Sequence, residues 1–333
     1  MRLILWIYRE RYGSAVEKVP LWREPVSAEV PDLMTSSRKG WATMRKKKKI
    51  ALLSLSIPAF LLIFIFMIVP LGNALRVSLF KWNGYSQHMS FIGAENYLAL
   101  FTDDVFWRST ANTFVYGFGS TLLQNIFGLL AALFVNQKFR GRNLLRAILY
   151  MPIMISGVIM GAIMYYIFNY ENGVLNNLLN LFGISNIYWM GDGVRAVLII
   201  TLINSWQAMG FCMLIYLAGL QNIPKVYKEA ALLDGASKIQ AFFKVDLPLL
   251  MPAVTTAVIT NLIGGLKLYD IIVTLTNGGP NRKSLSLSYY ISLLYFNDEK
   301  AGYSSAVGVA LFVIIFLVAV PINQFLRHRE VEY

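Results

Sequence analysis

The sequence has very few of the side chains that build metal, disulfide or redox centres. It holds one cysteine, Cys212, and two histidines, His88 and His328, which are far apart in the chain. A single cysteine provides no disulfide framework, so it says nothing about the redox compartment. Two distant histidines do not form a zinc-binding cluster. We therefore predict no metal site and no internal disulfide.

Motifs for nucleotide chemistry and catalysis are also missing. The glycine-rich loop G-x-x-x-x-G-K-[ST], whose backbone N–H groups bind phosphates, does not occur in the 333 residues. No pattern suggests a catalytic triad or a pair of catalytic carboxylates. The sequence therefore predicts a protein that is not itself an enzyme.

Charge is scarce, and the chain is strongly apolar. Only 14% of the residues are charged, 56% are hydrophobic, and the mean hydropathy is +0.54. About 20 apolar residues cross a bilayer as a helix, and a helix satisfies its own backbone groups in lipid. We therefore predict an all-α polytopic membrane protein with six transmembrane helices. The six windows without charge are Ile50–Leu75, Ser109–Gln137, Ala147–Tyr170, Ala196–Pro224, Leu247–Leu266 and Ala301–Leu326.

The distribution of basic residues predicts the orientation. With six spans, both termini share one side of the membrane, and that side carries 22 of the 30 lysines and arginines. The positive-inside rule places it in the cytoplasm. We predict a cytoplasmic tail over residues 1–49, a permease domain over 50–327 and a short tail over 328–333. The run Lys46–Lys49 would lie against anionic membrane lipid, and the net charge of +12 then needs no nucleic acid to explain it.

The loop between the fourth and fifth windows, residues 222–252, has the signals of two short helices. Asn222 and Pro224 indicate a helix start. Gly235 provides a break where a positive φ is needed. Ser237 and Gln240 have the spacing of a capping box for the second helix. The loop is therefore predicted to be a helix–turn–helix that fits a cleft on another protein.

This loop resembles a known family. Its Glu229-Ala230-Ala231, Asp234-Gly235-Ala236 and Leu247-Pro248 are similar to the EAA loop of ABC importer membrane subunits, and the variant with Gln240 and Phe242 resembles the binding-protein-dependent sugar permeases, in particular the maltose-type first permease. The resemblance implies that the first helix is a cytoplasmic coupling helix. It also implies that an ATPase subunit docks on Glu229, Ala230, Ala231, Asp234, Gly235 and Ala236.

The same resemblance implies the partners, the location and the substrate. The partners would be a second homologous permease, two ATPase subunits that hold ATP and Mg, and an extracytoplasmic solute-binding protein. The location would be the inner or plasma membrane of a prokaryote. The substrate would be a carbohydrate, in particular an oligosaccharide. The alternatives are an acidic, uronate-type oligosaccharide or a solute that is not a sugar. A secondary transporter would need buried acidic residues for ion coupling, and the central windows have none.

The resemblance also places a substrate path on the fourth and fifth windows. Its residues would be Asn204, Trp206, Gln207, Asn261, Gly264 and Gly265. Polar groups at this depth face a cavity or a partner helix, so interhelical hydrogen bonding is the alternative for the amides, and packing for Trp206. The two glycines replace aromatic and amide side chains of the family pattern, which predicts more room in the cavity.

Lys267 has two interpretations. It lies three residues before Asp270, a spacing at which side chains on one helix pair. If Lys267 faced the cavity instead, it would favour an acidic sugar.

Overall fold

The computed structural model of the protein describes Ser54 and residues 56–331. The chain divides into one unit that ends at Val69 and a second unit that begins at Pro70. The predicted tail 1–49 lies outside the described residues, as do the last two residues of the predicted C-terminal tail.

Helix α1, Ser56–Val77, includes residues 56–69 of the first unit. Its π-helical turn is Phe64–Ile68. Large apolar side chains are exposed along its first half, among them Phe60 at 68% and Phe66 at 71%. A surface of this kind, without charge, is suited to lipid.

The second unit is helical, with one short hairpin. Strand β1 (Phe80–Lys81) pairs with the antiparallel strand β2 (Ser90–Phe91). The helices that follow are α2 (Glu95–Thr102), α3 (Asp104–Val135), α4 (Arg142–Met154), α5 (Gly157–Phe168), α6 (Val174–Asn180), α7 (Gly193–Asn222), α8 (Lys225–Leu233), α9 (Lys238–Leu249), α10 (Met251–Leu266), α11 (Asp270–Leu275), α12 (Leu287–Phe296) and α13 (Ala301–Arg327).

Four helices of the described chain are long and apolar enough to cross a membrane, namely α1, α3, α7 and α13. Two bent pairs, α4 with α5 and α9 with α10, raise the number to six if each pair is one span. Most of the described residues of all six predicted windows lie in helices, four of them continuous and two of them bent pairs.

The third window, Ala147–Tyr170, is predicted as one span, and the structure divides it between the two helices α4 and α5. Helices α4 and α5 meet at 97°. The backbone of Ile155 and Ser156 is extended between them, with ψ of 129° and 150°. The Ser156 hydroxyl then accepts a hydrogen bond from the Ile159 N–H and starts a new helix.

Helix α10 begins at a bend of 67° after α9. Pro248 and Pro252 each lie in the first turn of a helical segment, where a missing N–H costs nothing.

Helix α7 runs through the middle of the second unit. Towards its start Ile200 belongs to one hydrophobic cluster, and towards its end Met213 and Tyr216 belong to another. Helix α7 packs closely against α3, as Gly128 on α3 shows. A Cβ added to Gly128 would clash with Cys212 on α7. Small residues allow helices to approach in this way.

Asp103 ties three helices together at the start of α3. Its carboxylate caps α3 through the Val105 and Phe106 N–H groups. It also accepts hydrogen bonds of 2.6 Å from the hydroxyls of Tyr290 and Tyr303. Burial alone would raise the pKa of Asp103, but these hydrogen bonds outweigh it and hold the pKa below its ordinary value.

Candidate functional site

The EAA loop, residues 222–252, folds largely as predicted. Helix α8 begins after Pro224, and Gly235 follows it with a φ of +83°. The Ser237 hydroxyl accepts a hydrogen bond from the Gln240 N–H at 3.2 Å, and the Gln240 side chain accepts one from the Ser237 N–H at 2.9 Å. The helix start, the positive φ and the capping box are thus confirmed.

The two short helices of the loop expose apolar side chains. Val226 is 63% exposed, Leu233 88% and Ile239 71%. Glu229, Ala230, Asp234 and Gly235 are exposed, and Ala231 and Ala236 are half-buried. A folded helix that leaves this much apolar surface uncovered by the described residues is suited to a protein partner.

An ion pair holds α8 against the next helix. The Lys228 Nζ lies 3.1 Å from a carboxylate oxygen of Asp246, whose side chain is 7% exposed. Asp246 lies in the π-helical turn Phe242–Asp246 of α9. The sequence does not predict this pair, because the two residues lie 18 positions apart and no local spacing links them.

One face of α10 differs chemically from the other exposed faces. Pro252, Thr256, Thr260 and Gly264 recur every fourth residue, and all are exposed. Positions four apart lie on one side of a helix. We call these four residues the α10 stripe. By contrast, α13 exposes large apolar rings such as Phe312 and Phe316, which suit lipid. The α10 stripe suits water or a closely packed helix instead.

Two of the predicted path amides are held by neighbouring helices. Gln207 is 8% exposed, and its Nε2 donates to the carbonyl of Ile155 at 2.8 Å. This carbonyl lies at the break between α4 and α5. Asn261 is 7% exposed, and its Nδ2 donates to Cys212 Sγ at 2.7 Å. Interhelical hydrogen bonding therefore accounts for both side chains.

The other two predicted side chains of α7 are more available. Asn204 is half-buried, and its side-chain amide has no hydrogen-bond partner among the residues that the structure describes. Its backbone carbonyl accepts from Gln124 Nε2 at 3.1 Å. Trp206 is 43% exposed. A role of these residues in a substrate path stays a prediction.

The two neighbouring glycines of α10 have opposite surroundings. A Cβ at Gly264 would meet nothing within 4 Å. A Cβ at Gly265 would lie 2.8 Å from the Tyr116 carbonyl oxygen and 2.9 Å from the Cα of Gly117. Gly265 therefore lies where α10 packs on the backbone of α3, and the prediction that it leaves room in a cavity is wrong. Gly264 does leave open space.

The predicted pairing of Lys267 with Asp270 is also wrong. The ion pairs of the described chain are Lys228–Asp246 and Arg282–Asp298. Lys267 caps the end of α10, and Tyr269 has a φ of −137° before α11 begins. Because the two residues lie on different helices, the one-turn spacing does not bring them together. Lys267 is exposed.

We predict that Gln207 and Asn204 differ in their effect on stability. Gln207→Met keeps the side-chain volume but leaves the partly buried Ile155 carbonyl without its hydrogen-bond donor, at a cost of about 1–3 kcal/mol. Asn204→Leu removes no hydrogen bond within the described chain and should change stability by less than about 0.5 kcal/mol. Thermal unfolding of the purified protein measures both. If the two substitutions changed the stability equally, the hydrogen bond from Gln207 would not stabilise the break between α4 and α5.

Comparisons with known proteins agree with this architecture. Residues 124–329 match the model of the family described as binding-protein-dependent transport system inner membrane component. A trehalose/maltose transport system permease protein of Thermococcus litoralis is 34% identical, over 81% of this chain and 92% of its own. A sulfoquinovosyl glycerol transport system permease protein of Agrobacterium fabrum is 34% identical, over 82% and 89%.

A solved structure shows the same fold. It is that of a bacterial ABC transporter involved in the import of the acidic polysaccharide alginate. The comparison of the two structures gives a TM-score of 0.73 at 23% sequence identity, and it covers 87% of this chain and 99% of that chain.

A bundle of membrane-spanning helices with an exposed EAA loop defines a multi-pass membrane permease. The chain belongs to the family of binding-protein-dependent transport system inner membrane components, the permease subunits of ABC importers.

Proposed function

We propose that this permease carries a carbohydrate, in particular an oligosaccharide, and that ATP hydrolysis on separate subunits drives it. The observation that carries the proposal is helix α8, which is folded and leaves apolar side chains such as Val226 and Leu233 uncovered by the described residues. Two ATPase subunits, which would hold ATP and Mg, dock on α8 and on its counterpart in a second homologous permease. An extracytoplasmic solute-binding protein delivers the sugar at the other end.

Two observations support a sugar as the solute. The relatives at 34% identity are named for trehalose/maltose and for sulfoquinovosyl glycerol. The exposed α10 stripe has hydroxyl groups and a glycine, and a ligand rich in hydroxyls needs donors and acceptors along an open path. Asn204 and Trp206 would add an amide and an aromatic face from α7.

The basic residues support an orientation for the chain. The 22 lysines and arginines on the side of the EAA loop favour a cytoplasmic position for that loop and for both termini. The chain would lie in the inner or plasma membrane of a prokaryote.

Transport would then proceed by alternating access. The Lys228–Asp246 pair links α8 to α9, and this ion pair would help to carry the movement of a docked ATPase subunit towards α10. Closure of the ATPase dimer moves α8, the spans rock, and the cavity opens outward.

Uptake of labelled sugar by proteoliposomes tests the proposal. The whole complex with its solute-binding protein should accumulate a labelled oligosaccharide only when ATP is enclosed with the ATPase subunits. A second candidate, an acidic oligosaccharide, is favoured by the exposed Lys267 without an ion-pair partner in the described chain. Lys267→Ala should reduce uptake of a uronate oligosaccharide and spare that of a neutral one. Accumulation of neither class would contradict a carbohydrate function.

A further inference from the structure

A cleft with aromatic walls lies at the end of the molecule that faces away from the EAA loop. It has a volume of about 460 Å³, within the range of about 300–1,000 Å³ typical of ligand pockets. Helix α7, with 30 residues, separates it from the EAA loop by about 45 Å. Its walls come from the end of α5, the loop before α7 and the turn after α11.

The cleft gathers exposed aromatic rings in one place. Tyr165 is 48% exposed, Tyr170 46% and Tyr188 64%. The rings of Tyr170 and Tyr188 meet edge to face, with centroids 5.6 Å apart. An aromatic ring offers an apolar face, and a tyrosine adds a hydroxyl that exchanges hydrogen bonds. A sugar ring has the matching surfaces, C–H groups on its faces and hydroxyls at its edge.

The backbone behind these rings is held by one buried amide. The side chain of Asn176 is fully buried. Its Nδ2 donates to the carbonyls of Tyr170 and Ile187, each at 3.0 Å, and its Oδ1 accepts from the Trp189 indole at 2.9 Å. These bonds connect the two walls that carry Tyr170 and Tyr188. A wall ordered before binding lowers the entropic cost of binding a ligand.

The charge of the cleft selects the kind of sugar. Glu171 lines it, and no lysine or arginine is among the lining residues. The nearest cation that the hydrogen bonds of the described residues show is Arg195, which donates to the Tyr188 carbonyl at 3.4 Å and does not line the cleft. The Glu171 carboxylate, which does line it, repels an anionic ligand and accepts hydrogen bonds from hydroxyls. The cleft therefore favours a neutral sugar over a uronate.

We propose that this cleft is a binding site for a neutral oligosaccharide, which stacks on Tyr170 and Tyr188 and donates hydroxyl hydrogen bonds to Glu171. The inference rests on the proposed carbohydrate function and adds a second contact point outside the α10 stripe. The oligosaccharide would occupy the cleft on its way to the membrane path.

Binding to the full chain in lipid nanodiscs tests the site without any transport partner. Saturation-transfer NMR titrations with maltotriose and with trigalacturonate give the two affinities. Tyr170→Ala and Tyr188→Ala should each weaken maltotriose binding about two- to tenfold. Tyr188→Phe, which keeps the ring, should bind nearly as the wild type. Tyr85→Ala is the matched control. Tyr85 is 62% exposed at the same end of the molecule as the cleft, and it does not line the cleft.

Glu171→Gln tests the charge. Removing the carboxylate should raise the affinity for trigalacturonate about fivefold and leave that for maltotriose within about twofold. An unchanged preference for maltotriose over trigalacturonate in this variant would contradict the role of Glu171.

The outcomes separate this site from the transport function. If the wild type, Tyr188→Ala and Tyr85→Ala bind maltotriose with equal affinity, the proposal that the cleft binds sugar is overturned. It is also overturned if the wild type does not bind maltotriose. Binding of the solute-binding protein to the same nanodiscs is a separate measurement. If Tyr188→Ala weakens that binding and leaves the maltotriose affinity unchanged, the cleft is a protein-docking surface and the proposal is also overturned. A failure of the transport function would appear instead as a lack of sugar uptake by the whole complex.

Discussion

Gly264→Phe is expected to abolish sugar uptake while the permease still folds and assembles. Open space surrounds this position, since an added Cβ meets nothing within 4 Å. Gly264 also belongs to the α10 stripe, which we assign to the substrate path. The first atom of a new side chain therefore displaces no neighbour in the described chain, and the phenyl ring beyond it would occupy that path. Uptake by proteoliposomes and the yield of the assembled complex are the two measurements.

Gly265→Phe is the matched control one residue further on. Here the added side chain would push against the backbone of Tyr116 and Gly117, at 2.8–2.9 Å from the Cβ position. Overpacking of this kind costs about 1–3 kcal/mol or more, so yield and thermal stability should fall. If Gly264→Phe transports normally, the α10 stripe does not line the path. If it folds but loses the second permease, the stripe is a subunit interface.

Gly235→Val is expected to uncouple transport from ATP hydrolysis. The φ of Gly235 is +83°, which costs an L-residue about 1–2 kcal/mol, and a β-branched side chain is worse. An added Cβ would meet nothing within 4 Å, so the effect is one of backbone conformation alone. The turn after α8 should then open and misplace the helix on the ATPase.

Gly235→Asn is the control for this prediction, because asparagine tolerates a positive φ. It should retain ATPase association and uptake close to the wild type. Glu229→Ala leaves the turn intact and should weaken ATPase association, by about 2–5 kcal/mol if Glu229 pairs with a desolvated basic group. Co-purification of the ATPase subunits measures all three variants. Normal uptake in Gly235→Val would show that the conformation of this turn does not matter for coupling.

The parts of the fold that the sequence predicts well depend on local signals. A capping box needs only Ser237 and Gln240, and a left-handed turn needs only Gly235, so both could be derived from a few neighbouring residues. The six apolar windows are equally local. Their positions agree with the helices because a bilayer requires a minimum length of uncharged chain.

The parts that could not be predicted depend on contacts between distant segments. Gly264 and Gly265 look alike in sequence, and only the approach of α3 separates an open position from a packed one. In the sequence, Gln207 has the character of a residue that lines a substrate path. In the structure, its side chain donates a hydrogen bond to the Ile155 carbonyl at the break between α4 and α5. Lys267 and Asp270 have pairing spacing only on a continuous helix, and the chain leaves α10 between them.

Cross-linking from α8 tests the central claim most directly. In a Cys212→Ala background, a cysteine at the exposed Val226 should be joined by a short bismaleimide to the ATPase subunit in the purified complex. A cysteine at the exposed Ser90, on β2 at the opposite end, should not. This result would show that the EAA loop is the docking surface for the ATPase. Cross-linking of the ATPase to Ser90→Cys, and not to Val226→Cys, would contradict both the docking surface and the orientation in the membrane.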